Sequence, residues 1–344
     1  MHISDFDYDL PEELIAQQPL AERDASRMLL VDRQTRSWRD LSFREFQSEL
    51  KPNDVVVVNN SRVIPARLLG RRKESGGRVE IFLVRELEPL MWEALVRPGA
   101  RLRLGSRVVF GNGELEAELL DEPGSELRRV RFESNGSFDS VLSQVGSTPL
   151  PPYIKRPEGA LRADDERYQT VYSKPRGAIA APTAGLHFSP ALLAKLHEQN
   201  QLVEITLHVG YGTFEPVRVD EVSEHEVSSE RFEIQDEAAH RINLARAKGG
   251  SVIAVGTTTT RALESASTEN GELAAGQSEA RLTIKPGYRF RIVDALLTNF
   301  HLPRSSLLIL VSTFAGRELI LQAYKHAVEQ HYRFYSYGDC MLIR

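Results

Sequence analysis

The spacing of apolar residues changes twice along this chain. In the first sixty residues, "RMLLVDR" (Arg27–Arg33) and "DVVVVNN" (Asp54–Asn60) read as strands, with a helical "SFREFQSEL" (Ser42–Leu50) between them. A strand made almost wholly of valine is expected to be covered on both faces, as in a parallel sheet. From about Ser61 to Leu150 the runs shorten and alternate every second residue, as in "RVEIFLVREL", "RVVFGNGELEAELL" and "ELRRVRFES". The "GNG" at Gly111–Gly113 is a hairpin signal, and no helical period intervenes before about Phe138–Val145. After "TPLPPYIKRP" (Thr148–Pro157) helical and strand patterns alternate again, from "SPALLAKLHEQN" and "LVEITLHV" to "RELILQAYKHAVEQ". The pattern predicts an α/β fold: a discontinuous α/β domain (residues 1–60 and 152–344) with an inserted antiparallel β-barrel domain (residues 61–151).

Composition narrows the class. The chain has 344 residues, 41% hydrophobic and 26% charged, ordinary values for a folded protein of two domains. No apolar run approaches the roughly 18 residues of a membrane span. The start, "MHISDFDYDLPEEL", is acidic and has no apolar targeting segment, so a cytoplasmic location and no membrane partner are expected. One cysteine, Cys340, excludes an internal disulfide and a cysteine-based zinc cluster, and no histidine pairing suggests another metal. The net charge of −5 removes any global sign of nucleic-acid binding but leaves room for a basic face. No interface-like apolar stripe stands out, so a monomer is expected.

Four bends carry candidate chemistry: "AAPTAGLHFSP" (Ala180–Pro190), "LHVGYGTFEPV" (Leu207–Val217), "VGTTTTRALES" (Val255–Ser265) and "LTNFHLPRSSLL" (Leu297–Leu308). The first offers Thr183 and His187; Ser189–Pro190 is a helix start, and His187 is either an exposed turn residue or an acid–base group. The second has Gly210 and Gly212 but no following helix, since Pro216 comes at once, so it is no dinucleotide fingerprint. Its Tyr211, Thr213, Phe214 and Glu215 either form a packed bulge or stack a flat ring and hold a ribose or a proton. In the third, Thr257 to Thr260 fill the turn between a strand (Val252–Val255) and a helix read from Ala262. One threonine suffices as a cap, and the rest are spare hydroxyls where open α/β sheets bind ligands. Arg261 lies in the first turn, where the macrodipole disfavours a cation unless a bound anion compensates; otherwise it is solvated. The fourth bend offers Asn299 and His301, the latter a general acid or a plain loop residue.

The first half of the insert is basic, with Arg62, Arg67, Arg71, Arg72, Arg78 and Arg97 among others, and Glu114 to Glu126 then reverse the sign. Lys155 and Arg156 add charge at the joint between the domains. Such a surface suits the backbone of a folded RNA, or is an ordinary salt-bridged β surface.

Taken together, these motifs resemble one family from end to end. "LPEELIAQQPLAERDASRML", "NNSRVIPARL", "PLPPYIKR", "APTAGLHF", "HVGYGTFEPVR", "VGTTTTRALES", "VDALLTNFHLPRSSL" and "YRFYSYGDCMLI" are similar to those of the bacterial S-adenosylmethionine:tRNA ribosyltransferase-isomerases of queuosine biosynthesis. Departures are small: Ser61 stands where the family usually has Thr, Arg304 at a position often acidic, and Cys340 where Ala is usual, which argues against a catalytic thiol. The resemblance implies an α/β domain with an inserted β-barrel. It implies transfer and isomerisation of the ribosyl moiety of S-adenosylmethionine onto 7-aminomethyl-7-deazaguanine (preQ1) at the wobble position of tRNA. Adenine and methionine leave, and epoxyqueuosine-tRNA remains.

S-adenosylmethionine is then a consumed substrate, with no cofactor implied. The tRNA partner carries a GUN anticodon (Asp, Asn, His and Tyr acceptors). Under this resemblance His187, Glu215 and His301 are the acid–base candidates. Thr183, Thr213, Thr257, Thr258, Thr259, Arg261 and Asn299 would bind the donor, with Arg261 facing a carboxylate, and Tyr211 and Phe214 would stack a base. Arg62, Arg67, Lys155 and Arg156 would meet tRNA phosphates, with Arg23 and Arg27 as weaker candidates. A methyltransferase using the same donor and a non-catalytic RNA-binding module are the competing classes. The first normally has a Gly-rich loop after its first strand, where this chain has "QTRSWRDLS".

Overall fold

The computed structural model describes residues 1–156, 162–214 and 217–344, and only the backbone at positions 162, 213 and 214. Its larger body is a nine-stranded mixed sheet. From edge to edge the strands are Gly276–Ala280, Glu230–Ile234, Leu202–Leu207, Val55–Asn59, Val252–Val255, Ala295–Asn299, Cys340–Ile343, Arg27–Asp32 and Ser37–Ser42. The middle four, from Leu202–Leu207 to Ala295–Asn299, run parallel. Antiparallel neighbours extend them on both sides, and the far edge is the hairpin of Arg27–Asp32 with Ser37–Ser42.

The valine strand behaves as its composition requires. All five residues of Val55–Asn59 are buried. Val55 and Val57 pack on one face with Ile242, Leu263 and Leu308, whereas Val56 and Val58 face Phe43, Phe46, Phe188 and Leu192. Each buried valine contributes about 1.5–3 kcal/mol over an exposed one, and the doubly covered position fixes the sheet's register. The segment after Ser42 is helical but tight, a 3₁₀ helix over Phe43–Glu49 started by a Ser42–Glu45 capping box.

The second body is a closed barrel of six antiparallel strands: Arg67–Arg72, Arg78–Glu88, Met91–Arg97, Arg128–Ser134, Leu115–Leu119 and Arg107–Phe110, the last pairing back onto the first. Alternation places Leu68, Ile81, Leu83, Ala94, Phe110 and Phe132 inside. The Gly111–Gly113 turn joins two of these strands, with φ of +61° and +101° at the two glycines. The helix Phe138–Val145 adds Val141 and Leu142 to the same core.

The barrel is seated at the carboxyl edge of the parallel strands. Arg62–Val63 pairs with Arg176–Ala178, and Ile179 and Tyr211 of the α/β body pack into the barrel's core cluster. Among the described residues no single helix is long and apolar enough to cross a membrane. The one apolar pair, Ser306–Ala315 and Arg317–Glu329, bends by 116° and packs its inner side on the sheet.

Candidate active site

The carboxyl ends of the parallel strands open into a cavity of about 390 Å³. All four bends singled out in the sequence reach it: Ala180–Ala184 of the first, Val209 and Gly212 of the second, Gly256–Thr258 and Arg261 of the third, and Thr298–Leu307 of the fourth. Thr183, Thr257, Thr258, Arg261, Asn299 and His301 are therefore brought together. The volume is that of a small-molecule site.

The threonine run is built differently from its sequence reading. The helix begins at Thr257, not at Ala262, and its N-cap is Gly256, at φ +92°. No threonine caps it. The hydroxyls of Thr259 and Thr260 donate to the carbonyls of Val255 and Gly256, at 2.7 and 3.1 Å. This back-bonding lets two β-branched polar residues sit fully buried in the first turn. Thr259 is thus an internal residue, which corrects its expected contact with the donor. Thr258 is the exception in the run: its Oγ1 is buried at the cavity and meets no hydrogen-bonding group among the described residues.

Arg261 has partners of its own. Within the protein its anion is Glu230, at 2.5 Å, and further donors go to the carbonyls of Leu282, Ser228 and Ala280. Glu230 also accepts from the Gly210 N–H at 2.9 Å. Burial raises its pKa above the ordinary carboxylate value, against the opposing pull of Arg261 and that N–H. The pair joins the second bend to the third and forms part of the cavity wall. Glu230 escaped the sequence reading, although "ERFEI" carries the signal: Glu230 is in phase with the inward Phe232 and Ile234.

Asn299 ends the strand Ala295–Asn299, and His301 follows two residues later. Asn299 donates to the Tyr335 carbonyl at 2.9 Å, and its side chain lies beside the buried His187 ring. His301 Nε2 bonds Thr298 Oγ1 at 2.8 Å, and its backbone N–H meets the Tyr324 hydroxyl at 3.0 Å. Burial pushes its pKa down to about 3, so the ring is neutral at physiological pH. If Nε2 accepts from Thr298, the hydrogen resides on Nδ1, which has no partner among the described residues.

His187 is placed behind this wall. It lies in a recess of about 20 Å³, with Nδ1 on Ser26 Oγ at 2.8 Å and its ring beside the Asn299 side chain. Burial lowers its pKa to about 4; nearby Asn299 opposes the shift, and Arg333 and Arg23 add to it. Ser336 borders both spaces. His187 does not itself line the main cavity, and it stands beside Asn299, which does.

The remaining expectations divide. Tyr211 turns to the barrel, its ring 6.1 Å from that of Phe82, and does not line the cavity. Glu215 lies outside the described residues, as do the side chains of Thr213 and Phe214. Arg156 is corrected outright: it is largely buried, binds both oxygens of Asp164 at 2.8 Å, and donates to the Gln17 carbonyl, so it has no face for phosphate. Arg23 and Arg27 are also engaged within the fold, Arg23 on the carbonyls of Leu186 and Glu166, and Arg27 over the Tyr332 ring. Arg62, Arg67 and Lys155 remain exposed; Arg67 pairs with Glu80 and Lys155 with Glu12 across solvent. Cys340 is buried in the sheet with its pKa raised by burial, as befits a packing residue.

The lining also includes the aromatic residues Tyr153, Tyr168, Phe300 and Tyr335. The sequence reading gave these rings no contact with the donor; "PPYIKR" has neither Gly nor Thr, and "YRFYSYG" has one Gly and no Thr. The cavity can thus hold a molecule with a flat apolar end and a charged, hydrogen-bonding end.

Comparison with known proteins gives one picture. Residues 3–343 match the family described as queuosine biosynthesis protein. Curated relatives include the S-adenosylmethionine:tRNA ribosyltransferase-isomerases of Pelotomaculum thermopropionicum, 49% identical over 344 residues, and Natranaerobius thermophilus, 48% identical over 346. Both alignments cover 100% of this chain and of the relative. A solved structure of the S-adenosylmethionine tRNA ribosyltransferase from Thermotoga maritima is 34% identical, with a TM-score of 0.55, covering 99% of this chain and 100% of that one.

Proposed function

The chain belongs to the queuosine biosynthesis protein family, and from that premise we propose that it is an S-adenosylmethionine:tRNA ribosyltransferase-isomerase. It moves the ribosyl moiety of S-adenosylmethionine to the aminomethyl group of preQ1 at the wobble position of tRNA and isomerises it. Epoxyqueuosine-tRNA forms, and adenine and methionine leave. The acceptors are tRNAs with a GUN anticodon, for Asp, Asn, His and Tyr. S-adenosylmethionine is consumed as a substrate, no cofactor is called on, and the enzyme works as a cytoplasmic monomer.

One observation supports this reading above the others. A buried polar atom at the cavity, Thr258 Oγ1, has no partner among the described residues. A buried hydroxyl is costly to leave unmatched, and this one faces the cavity, so it suits a polar ligand.

The roles follow from position. The methionyl carboxylate lies at the start of the Thr257–Ser265 helix, where free N–H groups and the Thr257 and Thr258 hydroxyls favour an anion. The sulfonium draws toward Glu230 and makes the C5′ hydrogens acidic. Glu230, made more basic by burial, is the proton acceptor assigned to C5′. His301, uncharged, donates a hydrogen bond from Nδ1 to the purine as adenine departs. Thr183 and Asn299 bind the sugar, and His187 supports Asn299 from behind rather than touching substrate. Arg62, Arg67 and Lys155 meet the tRNA backbone.

Incubation with labelled S-adenosylmethionine and preQ1-bearing tRNA tests the function. Release of adenine and methionine is expected. Formation of S-adenosylhomocysteine instead means methyl transfer, and binding without turnover means an RNA-binding module.

A further inference from the structure

The segment "FYSYG", Phe334–Gly338, has no part in the assignments above. Within it Tyr335 adopts φ +73°, in the left-handed region. Side chains with a Cβ seldom occupy that region; glycine or asparagine would do so with less strain. The conformation is held from both sides. The Tyr335 N–H donates to the Phe300 carbonyl at 3.2 Å, and its own carbonyl accepts from Asn299 Nδ2 and the Gly338 N–H, both at 2.9 Å. The turn has no slack at Gly338, where an added Cβ would lie 2.4 Å from the Arg333 carbonyl oxygen.

The flanking side chains have evident structural occupations. Phe334 is fully buried in the sheet core, and Tyr337 donates to Asp164 at 3.3 Å. Tyr335 alone of the three aromatics borders the cavity, and it is only half-buried. Strained residues persist where the surrounding structure over-determines them, and they gather at ligand clamps.

The ring has neighbours suited to a flat ligand. Tyr153 stands edge-on to it, at 74° between planes, and Phe300 and Pro152 continue the same wall. Thr258 and the Glu230–Arg261 pair belong to the same cavity and supply its polar side. A nucleoside with a charged tail divides in the same way. The other tyrosine with a claim to stacking, Tyr211, packs on the barrel instead.

We propose that Tyr335 is the platform of a purine-ring subsite. It stacks on a flat heteroaromatic ring, either the adenine of the donor or the 7-deazaguanine of the acceptor. The assignment rests on the proposed function and adds to it a contact residue and the kind of ring that it meets.

Three variants of the full chain test it: Tyr335→Phe keeps the ring, Tyr335→Leu keeps bulk and backbone strain without a ring, and Tyr335→Asn relieves the strain. S-adenosylmethionine affinity is measured by calorimetry, KM for preQ1-tRNA by adenine release, and melting temperature by circular dichroism. Stacking on a base is worth about 10- to 100-fold in affinity. Tyr335→Phe should stay within about threefold of the parent, while Tyr335→Leu and Tyr335→Asn lose that factor in one constant at nearly unchanged melting temperature. A loss in donor affinity identifies adenine, and a loss confined to the tRNA constant identifies the deazaguanine. Unchanged constants in Tyr335→Leu overturn the subsite, as does a fall in melting temperature without a change in either constant. If Tyr335→Asn does not fold, the Phe–Leu pair decides alone. A parent protein that neither binds S-adenosylmethionine nor releases adenine refutes the proposed function itself.

Discussion

Acidification from pH 7 to pH 5 probes the two enclosed histidines. His187 and His301 are 4% and 7% exposed, and burial holds their pKa values at about 4 and about 3. In the unfolded chain both titrate near the ordinary value of about 6.5. As pH falls through that value the unfolded chain takes up protons and the folded one does not, so their stabilising effect is present above about 6.5 and is lost toward the folded values. Between pH 7 and 5 each unfolded imidazole gains about 2 kcal/mol of protonation free energy, and each folded one gains almost nothing. The pair therefore removes about 4 kcal/mol of stability over two pH units.

Other buried groups respond too: His225, lowered by burial and Lys285, acts in the same sense, while Glu230 and Asp339, raised by burial, act in the opposite one. A difference between proteins isolates each histidine. His301→Asn and His187→Asn are compared with the parent by urea denaturation at pH 7 and pH 5. Trp38 lies in the nine-stranded sheet and Trp92 in the barrel, so a Trp92→Phe background reports the sheet alone. The stability gap between parent and variant should change by about 2 kcal/mol between the two pH values, in the direction that favours the variant at pH 5. A gap that stays constant means that the histidine titrates normally in the folded protein, and the argument from burial fails.

Further outcomes follow from the same geometry. Arg261→Met leaves Glu230 buried without its cation and should cost about 3–5 kcal/mol in a thermal melt, whereas Glu230→Gln, which keeps a hydrogen-bonding partner, should cost less. Thr258→Val should lower kcat/KM for S-adenosylmethionine about tenfold at unchanged melting temperature, because its hydroxyl serves no protein group; Thr259→Val should leave kcat/KM unaltered. Lys155→Ala should reduce the salt dependence of tRNA binding by about one unit of slope. Arg156→Ala should instead lower the melting temperature with little change in that slope, since its role is to hold Asp164.

Legibility in the sequence was uneven, for physical reasons. Alternation over Arg67–Ser134 reports a two-faced strand directly, so the barrel could be read from its pattern. The valine strand gave the sheet's centre for the same reason. The antiparallel extension by Glu230–Ile234 and Gly276–Ala280 was not read, because these edge strands are short and Gly276–Ala280 is mostly exposed and polar. Glycine and threonine marked the bends that surround the cavity, since loops near a ligand need small or hydroxyl-bearing residues. Their individual duties depended on tertiary partners: Thr259 bonds its own helix, Arg261 meets a strand thirty-one positions away, and Arg156 turns inward to Asp164. Tyr335 was hidden because backbone strain is a property of the folded turn.

The strand Cys340–Ile343 follows the other eight in chain order, yet it lies inside the sheet, between Ala295–Asn299 and Arg27–Asp32. During vectorial synthesis the sheet must wait with an open slot until that strand emerges. Only its arrival can join the Arg27–Asp32 hairpin to the parallel strands and lock the neighbouring turn that bears Tyr335. A prematurely terminated product would therefore expose two unpaired strand borders and offer them to aggregation or proteolysis, so the topology itself discriminates against unfinished copies.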